Sequence, residues 1–122
     1  MLDVAHCRVI HTAPPGDMID VYAAADVVAF PSTWEGFGNP PIEAALHRRP
    51  AAVGDYPVAE ELRSVFGFEW FDPDDVTALD RFLRQPDDAL LERNRERAVE
   101  HFSTERMTAD LRALLDDAGW LP

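Results

Sequence analysis

The chain has 122 residues, enough for one domain of ordinary size. Hydrophobic residues make up 47% and charged residues 28%, which excludes a disordered chain. The net charge of −12, from 23 acidic and 11 basic residues, repels phosphate backbones, so no nucleic-acid partner is expected. Any phosphate-bearing ligand must be held by local features against that field. No apolar run approaches the roughly 20 residues of a bilayer span, so no transmembrane segment is expected. The first nine residues lack the basic and apolar regions of a secretory leader. Cys7 is the single cysteine, so an intrachain disulfide is excluded and a cytoplasmic location is the simplest expectation.

Residues 8–12 read as a strand, closed by the breakers Pro14, Pro15 and Gly16. Asp17 suits a helix cap, and Met18, Val21, Tyr22 and Ala25 follow the i, i+3, i+4, i+7 spacing of one helix face. Residues 26–31 are almost continuously apolar, the pattern of a parallel strand buried on both faces. A loop rich in Gly and Pro runs from Ser32 to Pro41, followed by a helix through Ile42, Ala45 and Leu46. Residues 50–54 read as a third strand, about 58–65 as a short helix, and 68–71 as a fourth strand. Beyond Asp74 only helical patterns remain, over about 74–84, 87–101 and 104–118. Residues 92–97 read as a solvated helix face. The last helix, starting at Ser103 or Thr104, carries an apolar stripe of Met107, Leu111, Leu114 and Leu115, and such a stripe needs something larger to pack against.

Strands alternating with helices predict an α/β fold, a doubly wound, Rossmann-like parallel sheet with a helical C-terminus. No repeat or low-complexity linker splits the chain. One domain is expected over 1–122, with its sheet part at about 8–84 and its C-terminal helices at about 87–118. A doubly wound domain has about five or six strands. With four visible, the chain is expected to hold the later part of such a domain, and an uncovered sheet edge or apolar face would invite self-association.

The chemistry concentrates in residues 31–44, Pro-Ser-Thr-Trp-Glu-Gly-Phe-Gly-Asn-Pro-Pro-Ile-Glu-Ala, at the carboxyl end of a parallel strand, where open α/β sheets place ligands. Gly36 and Gly38 lack a Cβ, so the backbone there can approach a ligand closely. Pro40 or Pro41 suits a first helical turn, and the helix start behind them offers N–H groups to an anion. Glu35 and Glu43 bracket the loop with seven residues between them. Carboxylates accept from paired hydroxyls such as those of sugars and ribose. Hydroxyl acceptors at both ends and an anion site between them match the layout of a nucleotide-diphosphate sugar.

This E-x7-E motif, in the form EGFGNPPIEA preceded by YAAADVVAFPS, closely resembles the family 4 (group 1) retaining glycosyltransferases of GT-B fold. The likeness covers about residues 17–75. It implies a C-terminal donor-binding domain, transfer of a hexose from a nucleotide-diphosphate sugar, and no metal or other cofactor. It also implies that the match to Glu35 contacts the donor sugar and is the candidate catalytic carboxylate. Gly36, Phe37, Gly38, Asn39 and Pro40 would reach the sugar and diphosphate, and Glu43 the ribose hydroxyls. The family's basic diphosphate-binding pair and its N-terminal acceptor domain have no counterpart in these residues. Where the family pattern has glycine before a proline, this chain has Arg49-Pro50, so the helix must end differently. After Gly54-Asp55, where the family has a glycine pair, it has Tyr56-Pro57-Val58.

Taken alone, Glu43 would be read as a helix-dipole residue and Glu35 as an exposed loop residue; their pairing across the glycine turn favours ligand binding. Trp34 and Phe37 are read as packing residues. His6, His11, His47 and His101 show no metal-ligand spacing, and Glu60 and Glu61 are expected on a helix surface. The alternative function is a non-catalytic nucleotide-sugar-binding module that acts through a partner chain or self-association.

Overall fold

A computed structural model describes residues 16–120. The expected strand at 8–12, together with His6, Cys7 and His11, lies outside the described residues. The elements run α1 (Met18–Ala24), β1 (Val28–Phe30), α2 (Asn39–Leu46), β2 (Ala51–Val53), α3 (Pro57–Ser64), α4 (Val76–Arg84), α5 (Asp88–Phe102) and α6 (Thr104–Asp117). The fold is α/β, with a small parallel sheet and mostly helices, as expected. β1 and β2 pair in parallel, Val28 opposite Ala51 and Phe30 opposite Val53.

The two strands differ in burial. β2 is buried along its whole length, whereas β1 leaves Ala29 exposed and Val28 and Phe30 half-covered. The expectation that residues 26–31 are buried on both faces is therefore corrected: among the described residues, β1 pairs on one side only. The fourth strand is also corrected. It contracts to one bridge, Phe71 beside Ala52, where the Phe71 N–H donates to Ala51 O and the Val53 N–H to Phe71 O, both at 2.9 Å.

The reason lies in α5. Asn94, a buried polar residue, accepts from the Glu69 N–H at 3.0 Å and donates to Glu69 O at 2.8 Å. Its amide occupies the groups that a strand partner would use. Arg97 donates to Gly67 O at 2.9 Å, and Arg93 pairs with the Glu69 carboxylate at 2.9 Å. Residues 92–97, expected to be a solvated face, thus dock the 67–69 backbone onto α5.

The core has two lobes around α2. Ala44 meets Tyr22, Ala51, Val53, Tyr56 and Ala59 on the sheet side, while Ile42 and Ala45 meet Leu62, Phe68 and Ala98 on the other. The small residues of α2 let β2 and α5 approach from either side. α1 is capped by Asp17, whose carboxylate accepts from the Ile19 N–H at 3.2 Å. Of its expected apolar face only Tyr22 is buried; Met18 and Val21 are exposed.

α2 ends at His47, with Arg48 in the left-handed region at φ 55°. The Arg49 N–H donates to Ala44 O at 2.8 Å and the Arg48 N–H to Ala45 O at 3.0 Å, which is the Schellman pattern. Arg48 stands where glycine is usual, and Arg49 extends to Ala23 O at 2.8 Å, tying the helix end to α1.

Candidate functional site

The candidate site is the loop from β1 to α2 with the residues that brace it. Gly54, just past β2, donates its N–H to Phe30 O at 2.9 Å. A Cβ on Gly54 would strike the Ser32 carbonyl oxygen, so glycine is required for the loop to pass there. From Ser32 the chain turns outward. The Ser32 hydroxyl donates to Glu35 Oε1 at 2.8 Å, which holds the first carboxylate against its own loop.

The glycine turn is held from β2's side. Gly38 has φ 85°, and a Cβ on it would collide with the Tyr56 hydroxyl. That hydroxyl donates to Phe37 O at 3.3 Å, and the Tyr56 ring, buried, meets Phe30 edge-on at 6.2 Å between centroids. Burial and the Glu35 charge raise the Tyr56 pKa above its usual 10, with the Arg63 guanidinium acting the other way. Gly36 differs from Gly38: among the described residues no atom lies near its Cβ position, and its φ is not positive.

Asn39 opens α2, with Pro40 and Pro41 next. A helix start leaves about four N–H groups without intrahelical partners. Two of those positions here are prolines, so the expected anion site narrows to the Gly38 and Asn39 N–H groups, and among the described residues no side chain caps them.

Glu43 lies beyond the first turn, which contains no acidic residue, so the dipole reading of this carboxylate loses its basis. Its Oε2 accepts from the Tyr22 hydroxyl at 2.5 Å. Tyr22 is buried and stacks on His47 with centroids 5.3 Å apart. Burial, then the hydrogen bond to Glu43, then that carboxylate's charge hold the Tyr22 pKa far above 10. Part of the acceptor capacity that the resemblance assigns to ribose hydroxyls is thus already taken by Tyr22.

A cavity of about 750 Å³ opens beside Glu43 between α2 and the junction of α5 and α6. Phe37, Asn39 and Ile42 form one wall, and Phe102, Met107 and Leu111 the other. Phe37 meets Phe102 at 5.8 Å between ring centroids yet is 39% exposed, so it packs on one side only. Trp34 does not pack; it is 83% exposed, which corrects its reading as a packing residue. Glu60 and Glu61 lie exposed on α3. His101 packs among Phe66 and Phe102, and among the described residues no group of three or more His, Cys, Asp or Glu is arranged to hold a metal.

Tyr22 and Ser32 stand at the two ends of the YAAADVVAFPS stretch and Tyr56 where the family has a glycine, but motif spacing assigns none of the three a bracing role. Ser32 lies only three residues from Glu35, so their contact is local in the chain. The tyrosines act over separations of 21 and 19 residues, for which local spacing carries no signal.

No helix among the described residues is long and apolar enough to cross a membrane. The profile of the family described as "Glycosyl transferases group 1" matches residues 3–98. The chain is 37% identical over 124 aligned positions to the D-inositol 3-phosphate glycosyltransferase of Corynebacterium glutamicum, covering 91% of this chain and 28% of that protein. It is 42% identical over 50 residues to the mannosylglucosylglycerate synthase of Petrotoga mobilis, covering 41% of this chain and 12% of that enzyme. Against the O-antigen chain mannosyltransferase RfbU of Salmonella typhimurium it is 36% identical over 66 residues, 54% of this chain and 18% of that protein. The chain therefore spans well under a third of these relatives. No solved structure matches it significantly. With the family profile matching well over half of its length, the chain belongs to the group 1 glycosyltransferases.

Proposed function

We propose that the chain supplies the donor-binding part of a retaining, family 4 glycosyltransferase of GT-B fold, which passes a hexose from a nucleotide-diphosphate sugar to an acceptor. The supporting observation is the pair of carboxylates, each oriented by a hydroxyl, at the two ends of a loop whose glycine turn is clamped by Tyr56. Glu35 takes the sugar, and the backbone of Gly36, Phe37, Gly38, Asn39 and Pro40 faces sugar and diphosphate. Glu43 takes the ribose. In this reading transfer passes through an oxocarbenium-like state stabilised by the departing diphosphate. The chain contributes electrostatic placement and needs neither a covalent nucleophile nor a metal. The names of the relatives, all of them enzymes of glycoside assembly, support sugar transfer as the chemistry. The apolar face that α6 leaves open supports a working form completed by an acceptor-binding partner or by self-association, so the chain alone is expected to bind donor weakly and transfer little.

The test is calorimetric titration with ADP, GDP and UDP, free and as sugar conjugates, in excess chelator. Binding is expected to persist. Glu43→Gln is expected to weaken ribose-bearing ligands about ten- to a hundredfold, because hydrogen bonds to charged groups contribute roughly 1.5–3 kcal/mol. Glu35→Gln is expected to weaken only the sugar conjugates. A strict requirement for magnesium or manganese, or equal losses for ribose and dideoxyribose ligands on Glu43→Gln, would overturn the reading.

A further inference from the structure

We propose that Tyr22 is a positioning residue for Glu43: its hydroxyl occupies one carboxylate oxygen and turns the other toward the ribose. The inference rests on the donor-binding reading above and assigns a role to a residue of α1, outside the loop that carries the motif.

The geometry has three parts. The Tyr22 hydroxyl donates to Glu43 Oε2 at 2.5 Å, the short end of the range for a hydroxyl on a charged acceptor. The donor itself is fixed, because the Tyr22 ring is 6% exposed, belongs to the sheet-side core with Ala44 and Val53, and lies flat on His47 with 14° between the ring planes. The acceptor is half-buried on α2 and lines the cavity, so its side chain is not sealed in the core.

A glutamate free to rotate loses side-chain entropy when a ligand orders it. A glutamate held by a buried phenol has lost that freedom before the ligand arrives, which is how preorganisation raises affinity. Each carboxylate oxygen has about two acceptor sites. With Oε2 engaged by Tyr22, the other oxygen, Oε1, is the main acceptor for the ribose hydroxyls. A Tyr22 that only completes the core would stabilise the fold alike with any ligand bound. A positioning Tyr22 affects ligands with ribose hydroxyls and spares those without.

The experiment is titration of the unaltered chain, Tyr22→Phe, Glu43→Gln and the double variant. The probes are whichever of ADP, GDP and UDP binds and its 2′,3′-dideoxy form. The unaltered chain is expected to prefer the ribose form. Tyr22→Phe keeps the ring and should cut that preference about five- to tenfold while leaving dideoxy affinity unchanged. In the Glu43→Gln background, Tyr22→Phe should remove much less, because it acts through the carboxylate. If Tyr22→Phe melts below the titration temperature, His47→Ala, which removes the stacking partner and keeps the hydroxyl, should lower the ribose preference in the same direction. No ribose preference in the unaltered chain overturns the donor reading and this inference with it. A preference that survives Tyr22→Phe and His47→Ala, or equal losses for both probes, overturns this inference alone.

Discussion

Helices α2 and α6 are near opposites in what holds them. α6 has good local chemistry: the Ser103 hydroxyl accepts from the Arg106 N–H, and Gly119 closes the helix at φ 67° with the Trp120 N–H donating to Leu115 O. α2 lacks a capping side chain, spends two early positions on proline, and closes in the same Schellman pattern with Arg48 where α6 has glycine. Yet α2 buries Pro41, Ile42, Ala44 and Ala45, while no residue of α6 is buried and Leu114 stands 66% exposed. Caps and propensity contribute only about a kcal/mol each, so a helix pressed between a sheet and another helix tolerates poor ends. A helix with good ends and nothing to cover it remains on the surface.

Core truncation should separate the two regions most strongly. Leu62, 1% exposed against α2, is expected to cost about 2–5 kcal/mol on Leu62→Ala, whereas Leu114→Ala should stay within about 0.5 kcal/mol. Urea unfolding of both variants measures the difference. A large loss for Leu114→Ala would mean that the α6 face is covered in solution, by another copy or another chain.

The glycine turn ahead of α2 sharpens the comparison at the site. Gly38→Ala is expected to cost about 1–3 kcal/mol from its left-handed backbone and its collision with the Tyr56 hydroxyl. Gly36→Ala should shift stability by less than about 0.5 kcal/mol, since its Cβ position is open. Thermal melting reads both. If Gly36→Ala leaves melting unchanged and weakens a nucleotide sugar, the open space at Gly36 belongs to the ligand.

Both tyrosines of the chain brace the α2 side, and both have raised pKa values. A pKa raised on folding stabilises below the unfolded value of about 10 and loses that contribution as pH rises toward the folded value. Tyrosinate absorbance in the folded chain should therefore lag behind the unfolded chain above pH 10, and stability should fall there. Tyr22→Phe should flatten that fall. Ordinary titration of both tyrosines near 10 would mean that neither hydroxyl is held as described.

The smallest effect is expected at the end of α2. Arg48→Gly relieves a left-handed residue, a gain of about 1 kcal/mol, and loses the exposed ion pair with Glu92 at 3.0 Å, about 0.2–1 kcal/mol. A small net rise in melting temperature should result. A fall would show that the Glu92 pair fastens α2 to α5 more firmly than exposed pairs usually do.

Much of the fold could be read from periodicity and caps. Asp17, Asp75, Asp87 and Ser103 each cap the helix that follows, and the helices from 57 to 117 fall within a few residues of their patterns. Glu35, Gly38 and Glu43 could be singled out because the loop's carboxylates, glycines and prolines lie close together in the chain. Apolar content failed as a guide to burial at Trp34, Met18 and β1. Hydrophobicity states what a residue favours and carries no information about whether a neighbour is there to cover it.

The order of strand, glycine turn and helix, the α/β class and the family were determined by the sequence alone, because turns, caps and motif spacing act over a few residues. Three features were decided only by tertiary structure. Asn94 takes the hydrogen bonds that would have made residues 68–71 a strand. Tyr56 clamps the Gly38 turn, and Tyr22 holds one oxygen of Glu43. In each case the partner arrives from a separation of about 20 residues or more, and a hydrogen bond depends on the distance between atoms in space rather than on their distance along the chain.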